Sequence, residues 1–260
     1  MALAGFTEPM RAPIAILAGL AALSGAADAS GLNARLDGLV AAYPDFIAGH
    51  DGPWLTLKDG RRFAISDGRI GKSFDETIEH PDIADMFASD YPAGAEAAAP
   101  AVDFDPGRAR FKPLFDAMYG DCTQGGVIGR LRRVAWLPRH HGGHVEITTI
   151  NGVDRQLEAA IAELDALPER DMKYLIRSSG TYVCRTVAGS GAPSAHGWGI
   201  AIDINSAAAD YWRWSGTGWH NRVPVEIARI FERHGFIWGG RWYHYDTMHF
   251  EYRPELLPPR

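Results

Sequence analysis

The sequence has little of several features that would point to particular protein classes. No basic run is long enough to follow a phosphate backbone, and the net charge is −6, so nothing indicates a nucleic-acid partner. Beyond residues 1–29 no apolar stretch is long enough to cross a membrane. The two cysteines, Cys122 and Cys184, are too far apart for the close C-x-x-C spacing of a structural zinc site.

The rest of the composition is that of a soluble globular protein. Apolar residues make up 46% of the chain and charged residues 22%. A length of 260 residues is enough for one large domain, or for a domain with an extension, and for a sizeable core.

Residues 1–29 have the pattern of a secretory signal peptide. Arg11 precedes an apolar run over residues 12–23, and the segment ends in the A-x-A pattern of residues 27–29. We expect cleavage after Ala29 and export to the periplasm or the extracellular space, with no stable membrane span afterwards. An uncleaved anchor is the alternative.

An exported protein with an even number of cysteines favours a disulfide bond, here between Cys122 and Cys184. Closing a loop of that length would stabilise the fold. Two buried thiols or two thiolate metal ligands remain the alternatives.

Candidate metal ligands occur in residues 194–203. Ile200, Ile202 and Ile204 alternate with small residues and with Asp203, which predicts a strand with an aliphatic face and a face open beside the carboxylate. His196 lies seven residues before Asp203, a spacing that would put the two on opposite faces of a straight strand. We therefore place His196 in a loop that Gly197 and Gly199 allow to bend.

A second stretch, residues 246–251, offers another imidazole. Met248, Phe250 and Tyr252 alternate with His249 and Glu251, which predicts a second strand with one polar face. Two histidines and one aspartate form a ligand set that zinc accepts when a fourth position stays open for water. A further carboxylate three residues before His249 could serve as a base for that water.

The motifs Ser-x-His-x-x-Gly-x-Ala-x-Asp, Trp-Gly-Gly-x-Trp and Asp-x-x-His-Phe-Glu resemble those of the zinc D-alanyl-D-alanine carboxypeptidase family. That family also contains vancomycin-resistance carboxypeptidases and dipeptidases, and L-alanyl-D-glutamate endopeptidases. The resemblance covers roughly residues 145–255. It implies one Zn²⁺ per chain held by His196, Asp203 and His249.

The resemblance also implies roles for other residues. Asp246 would be the general base, with Glu251 as the runner-up, although Glu251 fits better as a partner of His249. Arg185, ahead of Arg177, would hold a substrate carboxylate. Ser194 would contact substrate or brace the loop, and Trp242 would lie beside the metal or the substrate.

The implied function is hydrolysis of the peptide stem of peptidoglycan by a zinc metallopeptidase, most simply a D-alanyl-D-alanine carboxypeptidase. An L-alanyl-D-glutamate endopeptidase and a non-catalytic cell-wall-binding module are the alternatives.

Other patterns predict ordinary structural elements. Asp59 and Gly60 sit between two strand-like runs and predict a hairpin. Pro113 opens a predicted helix that stops at Gly120, and Asp154 is expected to cap another. Two strands are expected over residues 127–137 and 144–150, and a further helix is expected with Pro224 at its first position and Gly235 past its end. The aromatic-rich residues 207–222 could form a platform for substrate or a hydrophobic cover.

Together these patterns predict an α+β fold with an antiparallel sheet and flanking helices, and the resemblance implies that it is of the DD-peptidase or Hedgehog-like kind. The expected organisation is a signal peptide over residues 1–29, an extension over residues 30–119 and a zinc peptidase domain over residues 120–257. The extension is expected to pack on the catalytic domain, although it could also shape a substrate groove or bind glycan.

Overall fold

The structure, a computed structural model, describes Met1, residues 31–216 and residues 218–259. Apart from Met1, the expected signal peptide lies outside the described residues. Within the described part of the chain, no helix combines the length and the apolar character needed to span a membrane.

The N-terminal region contains two helices and a small sheet. Residues 31–42 are helical and form α1. Strands β1 (Ile47–Asp51), β2 (Trp54–Leu57) and β3 (Arg62–Ala64) pair antiparallel in that order. The turn between β2 and β3 contains Asp59 and Gly60, so the predicted hairpin is confirmed. Helix α2 (Phe74–Glu79) follows.

Helix α2 begins at a capping box that the sequence analysis did not identify. Ser73 accepts a hydrogen bond from the Glu76 backbone N–H, and the Glu76 carboxylate accepts one from the Ser73 backbone N–H. Two N–H groups that the first helical turn leaves unpaired are thereby satisfied.

Helix α3 (Lys112–Tyr119) confirms the helix predicted to open at Pro113, although it begins one residue earlier, and it stops at Gly120. The backbone of Gly120 has φ +100°, and a Cβ there would lie 2.4 Å from the carbonyl oxygen of Gly126. Glycine is therefore required at this stop.

The two strands expected next are present but shorter than predicted. Strands β4 (Leu131–Ala135) and β5 (His144–Thr148) pair antiparallel over five residue pairs. The first starts late because Ile128–Arg130 forms a 3₁₀ turn instead of extended backbone.

Helix α4 (Val153–Leu164) forms as expected, but its predicted cap is wrong. The N-cap is Gly152, with φ +68°, and Asp154 lies inside the first turn. Asp154 is buried and pairs with Arg132 on β4, with Nη1 and Oδ2 2.7 Å apart. An ion pair to a neighbouring strand has replaced the local cap.

The third sheet carries the candidate ligands. Its strands are β6 (Ala201–Asp203), β7 (Phe236–Trp238) and β8 (His249–Tyr252), in the antiparallel order β6-β8-β7. Short helix α5 (Met172–Leu175) precedes the sheet in sequence, and α6 (Val225–Arg233), with Pro224 as its N-cap, lies between β6 and β7.

One hydrophobic core runs through most of the described chain. It includes Leu36 and Tyr43 from the N-terminal region together with Ile202, Phe231 and Phe250 around the third sheet. Side chains on either side of residue 119 therefore pack into the same core. The fold is a mixture of helices and small antiparallel sheets, as expected for an α+β protein.

Candidate metal centre and active site

Strand pairing brings the first two candidate ligands together. In the antiparallel register of β6 and β8, Asp203 is the partner of His249, and Ala201 is the partner of Glu251. Directly paired residues point to the same face of a sheet. The alternate residue Ile202 is buried in the core, so the acidic face is left for the site.

His196 reaches this face from outside the strand. It belongs to a short 3₁₀ helix, Ala195–Trp198, which ends at Gly199 with φ +67°. A Cβ on Gly199 would lie 2.8 Å from Cδ2 of Leu131, so the bend needs glycine for both its conformation and its close packing. The bent entry predicted from the spacing of His196 and Asp203 is present.

The three candidate ligand atoms meet at similar separations. His196 Nε2 lies 3.2 Å from Asp203 Oδ1 and 3.2 Å from His249 Nδ1, and His249 Nδ1 lies 3.0 Å from Asp203 Oδ1. Metal–ligand distances of about 2.0–2.1 Å around a tetrahedral zinc ion would separate neighbouring ligand atoms by about 3.3 Å.

The other ring nitrogens are already occupied by acceptors. His196 Nδ1 contacts the carbonyl oxygen of Thr181, and His249 Nε2 lies 3.0 Å from Oε2 of Glu251. If those nitrogens carry the protons, both nitrogens that face Asp203 present lone pairs. Three acceptors then converge without a donor between them, an arrangement that a divalent cation satisfies. The donor set fits zinc.

Asp246 lies just before β8 and lines the same cavity as the three candidate ligands. Burial, followed by the negative charge of Asp203, raises the pKa of Asp246 to about 6. Its Oδ1 atom is buried and has no hydrogen-bond partner among the described residues. A carboxylate oxygen that is shielded but unpaired can accept a proton from a small molecule in the cavity.

Glu251, the alternative base, is in a different position. It is fully buried, and its oxygens are occupied by Arg110, Arg253 and His249. Burial raises the pKa of Glu251, but the charge of Arg110 and the hydrogen bond with His249 outweigh that effect and leave the pKa below its ordinary value. This geometry is that of a partner of His249 rather than of a base facing substrate.

Trp242 packs against the candidate ligand His249. Its ring centroid lies 5.7 Å from that of His249, and its Nε1 donates a 2.8 Å hydrogen bond to the carbonyl of Pro106. Ser194 is buried and lines the cavity. Arg185 also lines the cavity and is exposed, whereas Arg177 is not part of the lining.

The cavity that contains the cluster has a volume of about 300 Å³. Its walls include three residues that the sequence analysis did not single out for the site, Arg108, Arg110 and His244, together with Tyr211 and Trp214. The two arginines come from the segment before α3, which has no recognisable motif. Tyr211 and Trp214 belong to the aromatic-rich segment, and the exposed ring of Trp214 favours the platform interpretation.

A disulfide bond lies close to the His196 loop. Cys122 and Cys184 are joined, with Cα atoms 5.6 Å apart. A Cβ on Gly197 would lie 3.3 Å from Sγ of Cys122, so the bond packs directly against the loop. It connects the segment after α3 to the segment that carries both Thr181 and Arg185.

A larger cavity, of about 930 Å³, lies elsewhere, between α1, α6 and residues 252–259. It contains none of the candidate ligands. The cluster of His196, Asp203 and His249 is the one group of potential metal ligands found among the described residues. Chemistry, rather than cavity size, therefore identifies the site.

The model of a family described as D-alanyl-D-alanine carboxypeptidase matches residues 188–252. The matched segment contains His196, Asp203, Asp246 and His249. Arg185 and both cysteines lie before its first residue. The resemblance inferred from the motifs is thereby confirmed. No curated protein and no solved structure matches the chain.

Proposed function

Because residues 188–252 match the D-alanyl-D-alanine carboxypeptidase family, we propose that this protein is a zinc peptidase that removes the terminal D-alanine from the peptide stem of peptidoglycan. The observation that carries the proposal is the convergence of three acceptor atoms in a cavity that is also lined by Asp246, whose Oδ1 is unpaired among the described residues. That combination supplies a place for a cation and a base for water.

His196, Asp203 and His249 would hold the zinc ion. When bound, zinc supplies Lewis-acid chemistry, polarising the scissile carbonyl and increasing the acidity of water. The contacts of His196 with Thr181 and of His249 with Glu251 hold each ring with one nitrogen directed at Asp203.

Asp246 would act first as a general base and then as a general acid. Its unpaired Oδ1 accepts a proton from the attacking water, and the resulting carboxylic acid donates that proton to the amine that leaves. A raised pKa suits this role, because at neutral pH the protonated form of a carboxyl group with a pKa of about 6 is more easily reached than that of an ordinary aspartate.

Arg185 would bind the carboxylate at the end of the substrate. A guanidinium forms paired hydrogen bonds with a carboxylate, and Arg185 lines the cavity together with the candidate ligands. The exposed aromatic ring of Trp214 adds an apolar surface at the same cavity.

The proposal includes export and a DD-peptidase or Hedgehog-like fold. Export is supported by the apolar segment over residues 12–23 and by the disulfide bond, since such bonds persist in oxidising compartments. Cell fractionation together with N-terminal sequencing of the mature protein tests it. Recovery from the cytoplasm with residues 1–29 retained would contradict it.

The function is tested by incubating purified pentapeptide muropeptides with the mature protein and measuring the products by mass spectrometry. We expect loss of one terminal D-alanine, inhibition by a chelator and recovery when zinc is restored. A cut within the stem would instead identify an endopeptidase. Intact muropeptides with zinc bound would overturn the peptidase proposal in favour of a binding module.

A further inference from the structure

A buried arginine from the N-terminal region contacts the partner of a candidate ligand. Arg110 is 4% exposed, and its Nε lies 3.0 Å from Oε1 and 3.1 Å from Oε2 of Glu251. Its Nη2 also contacts Oε2. The two side chains are 141 positions apart in sequence.

Oε2 of Glu251, which Arg110 contacts, also forms a hydrogen bond with the candidate ligand His249. Oε2 of Glu251 lies 3.0 Å from Nε2 of His249, whose Nδ1 is directed at Asp203. Both contacts of Arg110 with Oε2 therefore set the position of the atom that orients the His249 ring.

We infer that Arg110 is a positioning residue for the metal site, acting through Glu251 on His249. The inference rests on the proposed function only in taking His249 as a metal ligand. It makes the segment before α3, outside the matched residues 188–252, part of the metal centre.

Arg253 does not duplicate this role. Its Nη1 lies 3.2 Å from Oε1 of Glu251, the oxygen on the other side of the carboxylate, and its Nε lies 2.5 Å from Oε1 of Glu255. Removing Arg110 would leave Oε2 with His249 as its remaining contact among the described hydrogen bonds. A fully buried carboxylate that loses one of its two cations is free to reorient, and its acceptor geometry toward the imidazole changes with it.

The test compares Arg110→Met and Arg110→Lys with the unchanged protein. Zn²⁺ dissociation constants are measured by competition with a chromophoric chelator, and the absorption spectrum of the Co²⁺-loaded protein reports ligand geometry. We expect Arg110→Met to weaken zinc binding by about 10–100-fold, the range typical when a metal ligand loses its orienting partner. Arg110→Lys should restore part of that loss, because it keeps the charge but not the forked geometry.

Arg241→Met is the matched control. Arg241 is also 4% exposed, and its Nε lies 2.7 Å from Oε1 of the buried Glu232. That ion pair makes no hydrogen bond to the candidate ligands within the described chain, so breaking it should lower the melting temperature without changing zinc affinity or the Co²⁺ spectrum.

The outcomes separate the inference from the proposed function. Wild-type affinity and spectrum in Arg110→Met, or an equal loss in Arg241→Met, would overturn the inference. If Arg110→Met does not fold, wild-type zinc affinity in Arg110→Lys would overturn it, and a weakened affinity would support it. A wild-type protein that binds zinc but cleaves no peptide would defeat the proposed function alone, whereas one that binds no zinc would defeat both.

Discussion

Tyr43 donates a 2.7 Å hydrogen bond to Oε2 of Glu255, across 212 positions of sequence. Glu255 also pairs with Arg253, and Arg253 contacts Glu251 beside the candidate metal ligand His249. The residue that follows α1 is therefore joined to the candidate metal centre through buried charged groups.

Removing that hydroxyl should destabilise the fold. Tyr43→Phe leaves one oxygen of a buried carboxylate without its donor, and we expect a loss of about 1–3 kcal/mol in the free energy of unfolding, measured in urea. Tyr174→Phe is the control, because the hydroxyl of Tyr174 has no hydrogen bond within the described residues. Equal losses in the two variants would argue against this account.

Replacing Asp246 tests the assigned base. Asp246→Ala removes the proton acceptor, and we expect kcat for the muropeptide to fall by about 10²–10⁴-fold. Zinc content should not change, because the three candidate ligands remain. Turnover close to that of the unchanged protein would show that the proton is accepted elsewhere.

Arg185 is tested with a substrate whose terminal carboxylate is blocked. Losing a charge-assisted hydrogen bond worth about 1.5–3 kcal/mol should reduce kcat/KM by about 10–100-fold in Arg185→Met. The loss should appear with the free carboxylate and not with the C-terminal amide. Arg177→Met, outside the cavity lining, serves as the control and should behave like wild type with both substrates.

The disulfide bond should contribute to stability through the unfolded state. Cys122 and Cys184 are 62 positions apart, and closing a loop of this size is worth about 2–4 kcal/mol. We expect reductant to lower the melting temperature of the unchanged protein. The double variant Cys122→Ser/Cys184→Ser should melt at that lower temperature with or without reductant, and any response of it to reductant would point to another cause.

The contact between α4 and α6 should weaken in acid. Oε2 of Glu163 lies 2.6 Å from Arg233 Nη2, and Oε1 lies 2.6 Å from His234 Nε2. The hydrogen bond from Arg233, then that from His234, lowers the pKa of Glu163. A lowered carboxyl pKa stabilises the fold above the ordinary glutamate value, and the contribution disappears as the pH falls through the folded-state pKa.

Glu163→Gln measures this contribution. The pair is largely solvent-accessible, so we expect a loss of only about 0.2–1 kcal/mol at pH 7. Urea unfolding at pH 7 and pH 3 should show the variant less stable than wild type at pH 7, and the difference should be smaller at pH 3. A difference as large at pH 3 as at pH 7 would mean that the carboxylate charge is not responsible.

The sequence alone was enough for features that depend on neighbours in the chain. Alternation around Asp203 and His249 predicted two strands, and the glycines near His196 predicted the bend that precedes the first. Asp59 and Gly60 predicted the hairpin. Each of these follows from local backbone preferences or from side-chain periodicity, which a short stretch of sequence contains in full.

Contacts between distant segments were decided by the tertiary structure. Arg110 has no motif around it, yet packing brings its guanidinium into contact with Glu251. Packing likewise brings Trp242 within hydrogen-bond distance of the Pro106 carbonyl. The prediction for Asp154 failed for the same reason, because an ion pair between the buried Asp154 and the partly exposed Arg132 replaced a local cap. Periodicity shows which face of an element is buried but not which residue covers it, so the walls of the site emerged only when the core was assembled.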